Sequence, residues 1–260
     1  MRISFTDLWH YRDLLYFLTW REVAVRYKQT LLGFAWAIIQ PLLAMVVFSV
    51  FLGRLAKVPS DGVPYPVFSY LGLLPWTYFS AALTRSSMSL VSNQNLLSKV
   101  YFPRLLIPLS GTLSALADFL IALAVLIGLM FWYHITPSIS TIVMFPLLTV
   151  LCSLAATGVG MWLAALNVQY RDVQHAVPFL IQVWMYATPV VYPASLVPAK
   201  WRLLYAVNPL TGIIESFRAS ALGRPIDWPT LGISTLVILA AVAFGVWRFG
   251  RVERQFADIV

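Results

Sequence analysis

Six stretches of the chain are dominated by apolar side chains and separated by shorter polar ones. A helix needs about 20 mostly apolar residues, with about 17 to 25 observed, to cross the hydrocarbon core of a bilayer. Leu31–Phe51, Leu105–Tyr133 and Ile142–Leu166 meet that length, and Val67–Leu83 and Leu231–Trp247 reach its lower bound. Val177–Tyr192 is the exception: it has only 16 residues and carries Pro178 and Pro189, so length alone allows a re-entrant segment that never crosses.

Charge decides between five crossings and six. Arg2, Arg12, Arg21, Arg26 and Lys28 precede the first span, whereas only Arg54 and Lys57 follow it, so the N-terminal side is cytoplasmic. Six crossings return the tail, with Arg248, Arg251 and Arg254, to that same side; five would leave these arginines outside. The pattern therefore predicts an all-α integral membrane protein: a cytoplasmic interfacial segment at 1–30, a membrane domain at 31–249 and a cytoplasmic tail at 250–260. The spans fall at about 31–51, 67–90, 105–133, 142–166, 174–192 and 231–249.

The connecting segments then acquire sides. LLSKVYFPRLLIP (96–108) and NVQYRDVQ (167–174) are internal; VPSDGVPYP and the long segment from Pro193 to Pro229 are external. Within the latter, TGIIESFRASAL spaces Ile213, Phe217 and Ala221 at helical intervals and sets Glu215 three residues from Arg218, which predicts an amphipathic helix at the outer interface or a loop helix covering the spans. Residues 5–28 show no clean amphipathic face. Glu22 and Arg26 have the favourable i, i+4 order, but charges fall all round, so a segment broken into pieces is expected.

Composition agrees. Hydrophobic residues make up 60% of the 260, charged ones 11%, and the mean hydropathy is +0.79, values foreign to a soluble domain of this length. The net charge of +8 is scattered between apolar runs, which excludes a nucleic-acid patch and fits membrane topology. Cys152 is the sole cysteine and lies inside an apolar run, so no intrachain disulfide is possible. The first thirty residues lack a small-residue cleavage site, and the first span is expected to be its own membrane signal.

Asp118 is the one acid well inside a predicted span, and Ser110, Ser114 and Asp118 recur every four residues, making one side of the third span polar. Two readings are open: a hydrogen-bonded seam between helices, or a proton relay in an ion- or proton-coupled carrier. No second acid or histidine lies well inside another span to receive the proton, His175 falling at the very start of the fifth. Small residues recur at Ala156, Gly160 and Ala164 and again at Ala241 and Gly245, a spacing that lets helices approach. Pro41, Pro75, Pro108, Pro146 and Pro189 invite kinks.

Aromatics form 15% of the chain, and Trp76, Tyr78, Phe79, Trp132 and Tyr133 are expected in an interfacial belt. Trp36, Trp184, Tyr186 and Tyr192 are the candidates for lining a path along which the apolar faces of sugar rings could slide.

Other chemistries are excluded or lack their residues. No Gly-Lys pair occurs, so the chain has no phosphate-cradling loop of the Gly-Lys-Ser/Thr type. His10, His134 and His175 lack metal-ligand spacing, and there is no GxSxG elbow. No metal and no cofactor within the chain are expected.

RYKQTLLGFAWAIIQPLL (26–43), YLGLLPWTYFSAAL (70–83), NLLSKVYFPRLLIPLS (95–110), LNVQYRDVQHAVPFLIQVWMYATPVVYP (166–193) and NPLTGIIESFRASALG (208–223) together resemble, in order along the chain, the membrane subunits of ABC-2 type polysaccharide exporters, and within them the O-antigen branch. The resemblance implies six spans preceded by an interfacial segment, with short external helices between spans five and six. It also implies a homodimeric conduit for a lipid-linked polysaccharide in the bacterial inner membrane, with two separate ATPase subunits docked beneath it. ATP and Mg would be bound by those partners, and this chain itself would not be an enzyme. By the same carry-over Lys99, Tyr101, Phe102 and Arg104 become contact or anchoring residues of an ATPase-coupling loop. Arg171 and Asp172 lie in the second internal loop, and Arg26, Tyr27 and Lys28 at the N-terminal interface.

Overall fold

The computed structural model describes residues 9–28, 33–97, 99 and 102–252. Tyr101, the first residues of the predicted first span and the tail beyond Val252, Arg254 included, lie outside the described residues. All regular structure among the described residues is helical. α1 is Arg12–Lys28; α2 is Ala35–Phe48, which runs on as a π-helix through Ser49–Leu55; α3 is Tyr65–Ser92; α4 is Leu106–Trp132; and α5 is Ile139–Gln169. Val173–Tyr186 forms α6, Ala199–Tyr205 α7, Pro209–Ala221 α8 and Trp228–Val252 α9.

Four helical stretches, Ala35–Leu55, α4, α5 and α9, are long and apolar enough to cross a membrane. The chain is a membrane protein on this ground. α3 is also long, 28 residues or about 42 Å, but serine, threonine and tyrosine interrupt its apolar run. α6 has 14 residues, about 21 Å against a core of about 30 Å. It stops at Tyr186, short of the predicted end at Tyr192, where the chain turns through Ala187–Pro193.

α3 is the centre of the bundle. It packs along both α4 and α5, and α9 covers the far side of α5. Small residues set these distances. A Cβ on Gly245 of α9 would fall 2.2 Å from the Gly158 carbonyl oxygen of α5, so the two backbones touch. A Cβ on Gly160 would fall 2.4 Å from Ser86 Oγ of α3. Cys152 is buried with Sγ 3.6 Å from the Pro75 carbonyl oxygen, filling space beside the proline of α3.

Three expectations are corrected or decided by this packing. First, α1 is one continuous helix of 17 residues, not a string of pieces. Its polarity is inverted relative to a soluble surface helix: Arg21, Glu22, Arg26 and Tyr27 turn toward polar groups of the bundle, while Tyr16, Phe17, Trp20 and Val25 are exposed. A helix at a bilayer surface can satisfy its charges inward and give its rings to lipid. Second, of the two readings open for α8 the packing favours a helix covering the spans over one lying at the outer interface. Ile213, Phe217 and Ala221 are all fully buried, and the helix packs against α3, α5 and α9. Third, Trp76, Tyr78 and Phe79 belong to the core rather than to an interfacial belt, because α3 is enclosed by its neighbours.

Candidate functional site

The polar seam of α4 meets side chains from two other elements. Asp118 Oδ2 accepts a hydrogen bond from Arg26 Nη1 at 2.7 Å and another from Arg85 Nη2, while Tyr27 donates its hydroxyl to Oδ1. Arg85 Nη1 also donates to Ser114 Oγ at 3.3 Å. One turn nearer the start of α4, Ser110 Oγ donates to Glu22 Oε1 at 3.3 Å. The three seam residues Ser110, Ser114 and Asp118 are therefore brought together with α1 and with α3. Burial pushes the Glu22 carboxyl above the usual range, against the hydrogen bonds of Ser114 and Ser110 and the charges of Arg21 and Arg26. The Tyr27 hydroxyl is pushed up as well, by burial and by the carboxylate it binds, and stays protonated as the donor to Asp118.

This charged clamp lies at one end of a cavity of about 650 Å³ between α2, α3 and α4. Arg26, Tyr27, Arg85 and Asp118 line that end; Trp36, Pro41 and Phe48 line the α2 wall; Trp76, Tyr78 and Phe119 line the wall opposite. Two sources of order hold the aromatic wall. Tyr78 shares a hydrogen bond with Ser153 Oγ at 2.6 Å, and its ring lies 5.1 Å from that of Phe119. The result is a space with flat apolar walls and a cationic foot, able to hold an amphiphile or a sugar face.

Of the four aromatics expected on a path, Trp36 lines this cavity and is half exposed. The others are placed elsewhere. Trp184 donates Nε1 to Asn208 Oδ1 at 3.1 Å and meets Phe79 edge to face; Tyr186 is exposed near the end of α6; and Tyr192 shares a hydrogen bond of 2.7 Å with Tyr205. Arg85, Trp76, Tyr78 and Phe119 were missed from sequence. Arg85 had a signal, since an ionisable residue seven positions inside a long helix demands a partner. The aromatics had none, because hydropathy does not say which face of a fully enclosed helix borders a cavity.

The model of the family described as "ABC-2 type transporter" matches residues 13–222, most of the chain. The chain belongs to that family. This ABC-2 chain is 30% identical over 250 residues, 95% of each chain, to the O-antigen export system permease protein RfbA of Klebsiella pneumoniae. It is 33% identical over 216 residues, 82% of each, to the protein of that name from Myxococcus xanthus. Identity to the polysialic acid transport protein KpsM of Escherichia coli is 26% over 210 residues, 78% of each.

In this ABC-2 chain the loop before α4 has an outward and an inward part. Lys99 is exposed, Arg104 half-buried, and Phe102 is buried with Leu18, Leu90, Leu106 and Phe249 in a second apolar cluster. Phe102 therefore anchors the loop rather than presenting its ring. Arg171 and Asp172 form the turn between α5 and α6, Arg171 exposed, and Lys28 ends α1 exposed. Glu215 and Arg218 pair at 2.8 Å, but deep in the fold: Arg218 is 4% exposed and reaches back to the carbonyls of the Ala187–Pro193 turn. Burial lowers its pKa and Glu215 opposes that shift.

Proposed function

We propose that this chain is the permease subunit of an ATP-driven exporter that moves a lipid-linked polysaccharide of the O-antigen type from the cytoplasm across the inner membrane. The observation that carries this reading is the end-to-end likeness, over 95% of both chains, to a protein named as an O-antigen export permease. The cavity supports it: the flat rings of Trp36, Trp76, Tyr78 and Phe119 on its walls suit a polymer that must slide rather than stay bound.

In this reading α3 and α6 are the second and fifth of six spans, α6 being completed by the turn through Pro193, and both termini are cytoplasmic. α1 is the interfacial helix. Two copies form the conduit and two ATPase subunits, carrying ATP and Mg, dock on the internal face. Lys99 and Arg104, with Arg171 and Asp172, are the groups that would pair with an ATPase surface, while Phe102 holds the loop rigid enough to transmit a push. Nucleotide states drive transport only if they bind the permease with different geometry.

The rival, an ion- or proton-coupled carrier using Asp118, lacks support. Asp118 is clasped by two arginines and a tyrosine, and no further acid and no histidine is among the described residues lining the cavity. The test is reconstitution with the partner ATPase in vesicles. ATP-dependent delivery of lipid-linked polysaccharide to the far side is expected; uptake driven by an ion gradient with no ATPase present would overturn the proposal.

A further inference from the structure

Resting on the export reading, we propose that α1 is a lever whose first half is fixed to the loop before α4 and whose second half is a releasable cover over the charged end of the cavity, with the Arg26–Asp118 pair as its catch. A push on the loop then lifts the cover. The two halves of α1 differ in how they are held. Leu18 is 2% exposed and packs with Phe102, Leu105 and Leu106, and Tyr11, Leu14 and Leu15 lie against the same apolar cluster. Apolar contacts are non-directional, so this half follows the loop without losing its hold. Residues 21–28 include no buried side chain. That half is tied by polar groups: Arg21 donates to Asn93, Glu22 accepts from Ser110, and Arg26 and Tyr27 donate to Asp118. Arg26 and Tyr27 also line the cavity end, so their departure uncovers it.

Each bundle group that the cover would leave behind keeps a partner. Asp118 retains Arg85 of α3. Ser110 has the Ile107 carbonyl at 2.8 Å, Ser114 the Gly111 carbonyl at 2.9 Å, and Asn93 Nδ2 the Ser89 carbonyl at 2.8 Å. Release therefore strands no charge inside the bundle, which is the penalty that makes most buried pairs permanent. On the other side of the catch Arg26 is 34% exposed, and a pair this open to water contributes little to stability. Two states of similar free energy follow, as a switch moved by a partner requires. Arg85 sets the balance between them, because it donates to the same Asp118 oxygen as Arg26 and competes for it.

The experiment uses the full chain with its ATPase in nanodiscs, spin-labelled at Val25→Cys and Arg251→Cys and diluted with unlabelled chain. Both positions are exposed, and Cys152 is fully buried and stays in place. Distances between the labels are read without nucleotide and with trapped ATP. A shift of at least about 3 Å between the two conditions is expected, enough to part a hydrogen-bonded pair. An unchanged distance would overturn the proposal.

Substitutions at the two arginines then separate a catch from a structural clasp. Arg26→Gln should raise the released fraction without nucleotide about threefold, the contribution of a part-exposed pair. Arg85→Gln removes the competitor and should lower that fraction. A clasp that only stabilises the fold predicts loosening in both, so an Arg85→Gln fraction equal to or above the parent's overturns the proposal. Should Arg85→Gln fail to fold, Asp118→Asn takes its place and must release the cover as Arg26→Gln does; a cover that stays down counts equally against it. Polysaccharide delivery is measured in parallel. Glu22→Cys with Ser110→Cys, joined by a short reducible spacer, should cut delivery at least about tenfold and recover on reduction, since the cover can no longer lift. Delivery by the parent with a motionless cover sinks this inference alone, and absent delivery by every form sinks the reading beneath it.

Discussion

Replacing Arg218 by methionine should cost more than any surface change, because one side chain holds the Ala187–Pro193 turn to the bundle. Arg218 is 4% exposed. Its Nη1 donates to the Pro189 carbonyl at 2.6 Å and to Glu215 Oε1 at 2.8 Å; Nη2 donates to the Val190 carbonyl at 2.5 Å; and the guanidinium lies over the Phe68 ring, 3.9 Å from its centroid. Methionine keeps the volume but strands two buried carbonyls and a half-buried carboxylate. At about 2 kcal/mol for each of the two stranded carbonyls, the half-buried carboxylate being open to water, a loss of about 4 kcal/mol is expected. For a chain of this size that corresponds to a fall of about 10 °C in Tm. The assay is thermal unfolding in detergent beside Arg218→Lys, whose single ammonium cannot reproduce the fork and should recover less than half. A methionine variant that melts within about 2 °C of the parent would refute the reasoning.

Gly245→Ala should lose about 1–3 kcal/mol, since its Cβ meets the Gly158 carbonyl at 2.2 Å, whereas Gly128→Ala, with nothing within 4 Å, should be neutral or slightly stabilising; equal melting of the two would contradict the packing of α9 on α5. Phe102→Ala should cost about 3–5 kcal/mol as a buried ring is removed, while Lys99→Ala should leave Tm unchanged and reduce only stimulation of the partner ATPase. Glu22 carries a carboxyl whose folded pKa is raised by burial, so the folded state favours its protonated form and that contribution is lost as pH climbs through the raised value. Glu22→Gln is accordingly expected to melt higher than the parent at pH 7.5, with the difference vanishing below about pH 4.5; a constant difference across that range would count against burial as the cause.

Helix positions were legible where hydropathy is strong and one-sided. The predicted 105–133 and 231–249 lie within a few residues of α4 and α9, because runs such as LIALAVLIGLMFW and LVILAAVAFGVW leave no other satisfied backbone conformation in lipid. α5 extends beyond 142–166 at both ends, since Ser140, Thr141 and Asn167 find partners in the bundle. What escaped was pairing. Asp118 announced a partner without naming it, as Arg26 lies 92 residues away and Arg85 lies 33 away on another helix. α8 looked amphipathic because Glu215 and Arg218 read as a solvated pair, but Gly72 leaves room for the guanidinium: a Cβ there would lie 2.5 Å from Arg218 Nη2. α1 looked broken for the converse reason, since its charges are satisfied by groups far along the chain.

The claim beneath all of this is that the chain moves polymer only when a separate ATPase works on its internal face. The direct measurement is polysaccharide delivery across vesicle membranes by purified permease, with and without its ATPase and ATP. Delivery is expected only when permease, ATPase and hydrolysable ATP are all present, and it should survive Asp118→Asn in a folded protein without acquiring dependence on a proton gradient. Delivery by the permease alone, or delivery that follows an imposed ion gradient and vanishes with Asp118→Asn, would contradict the account.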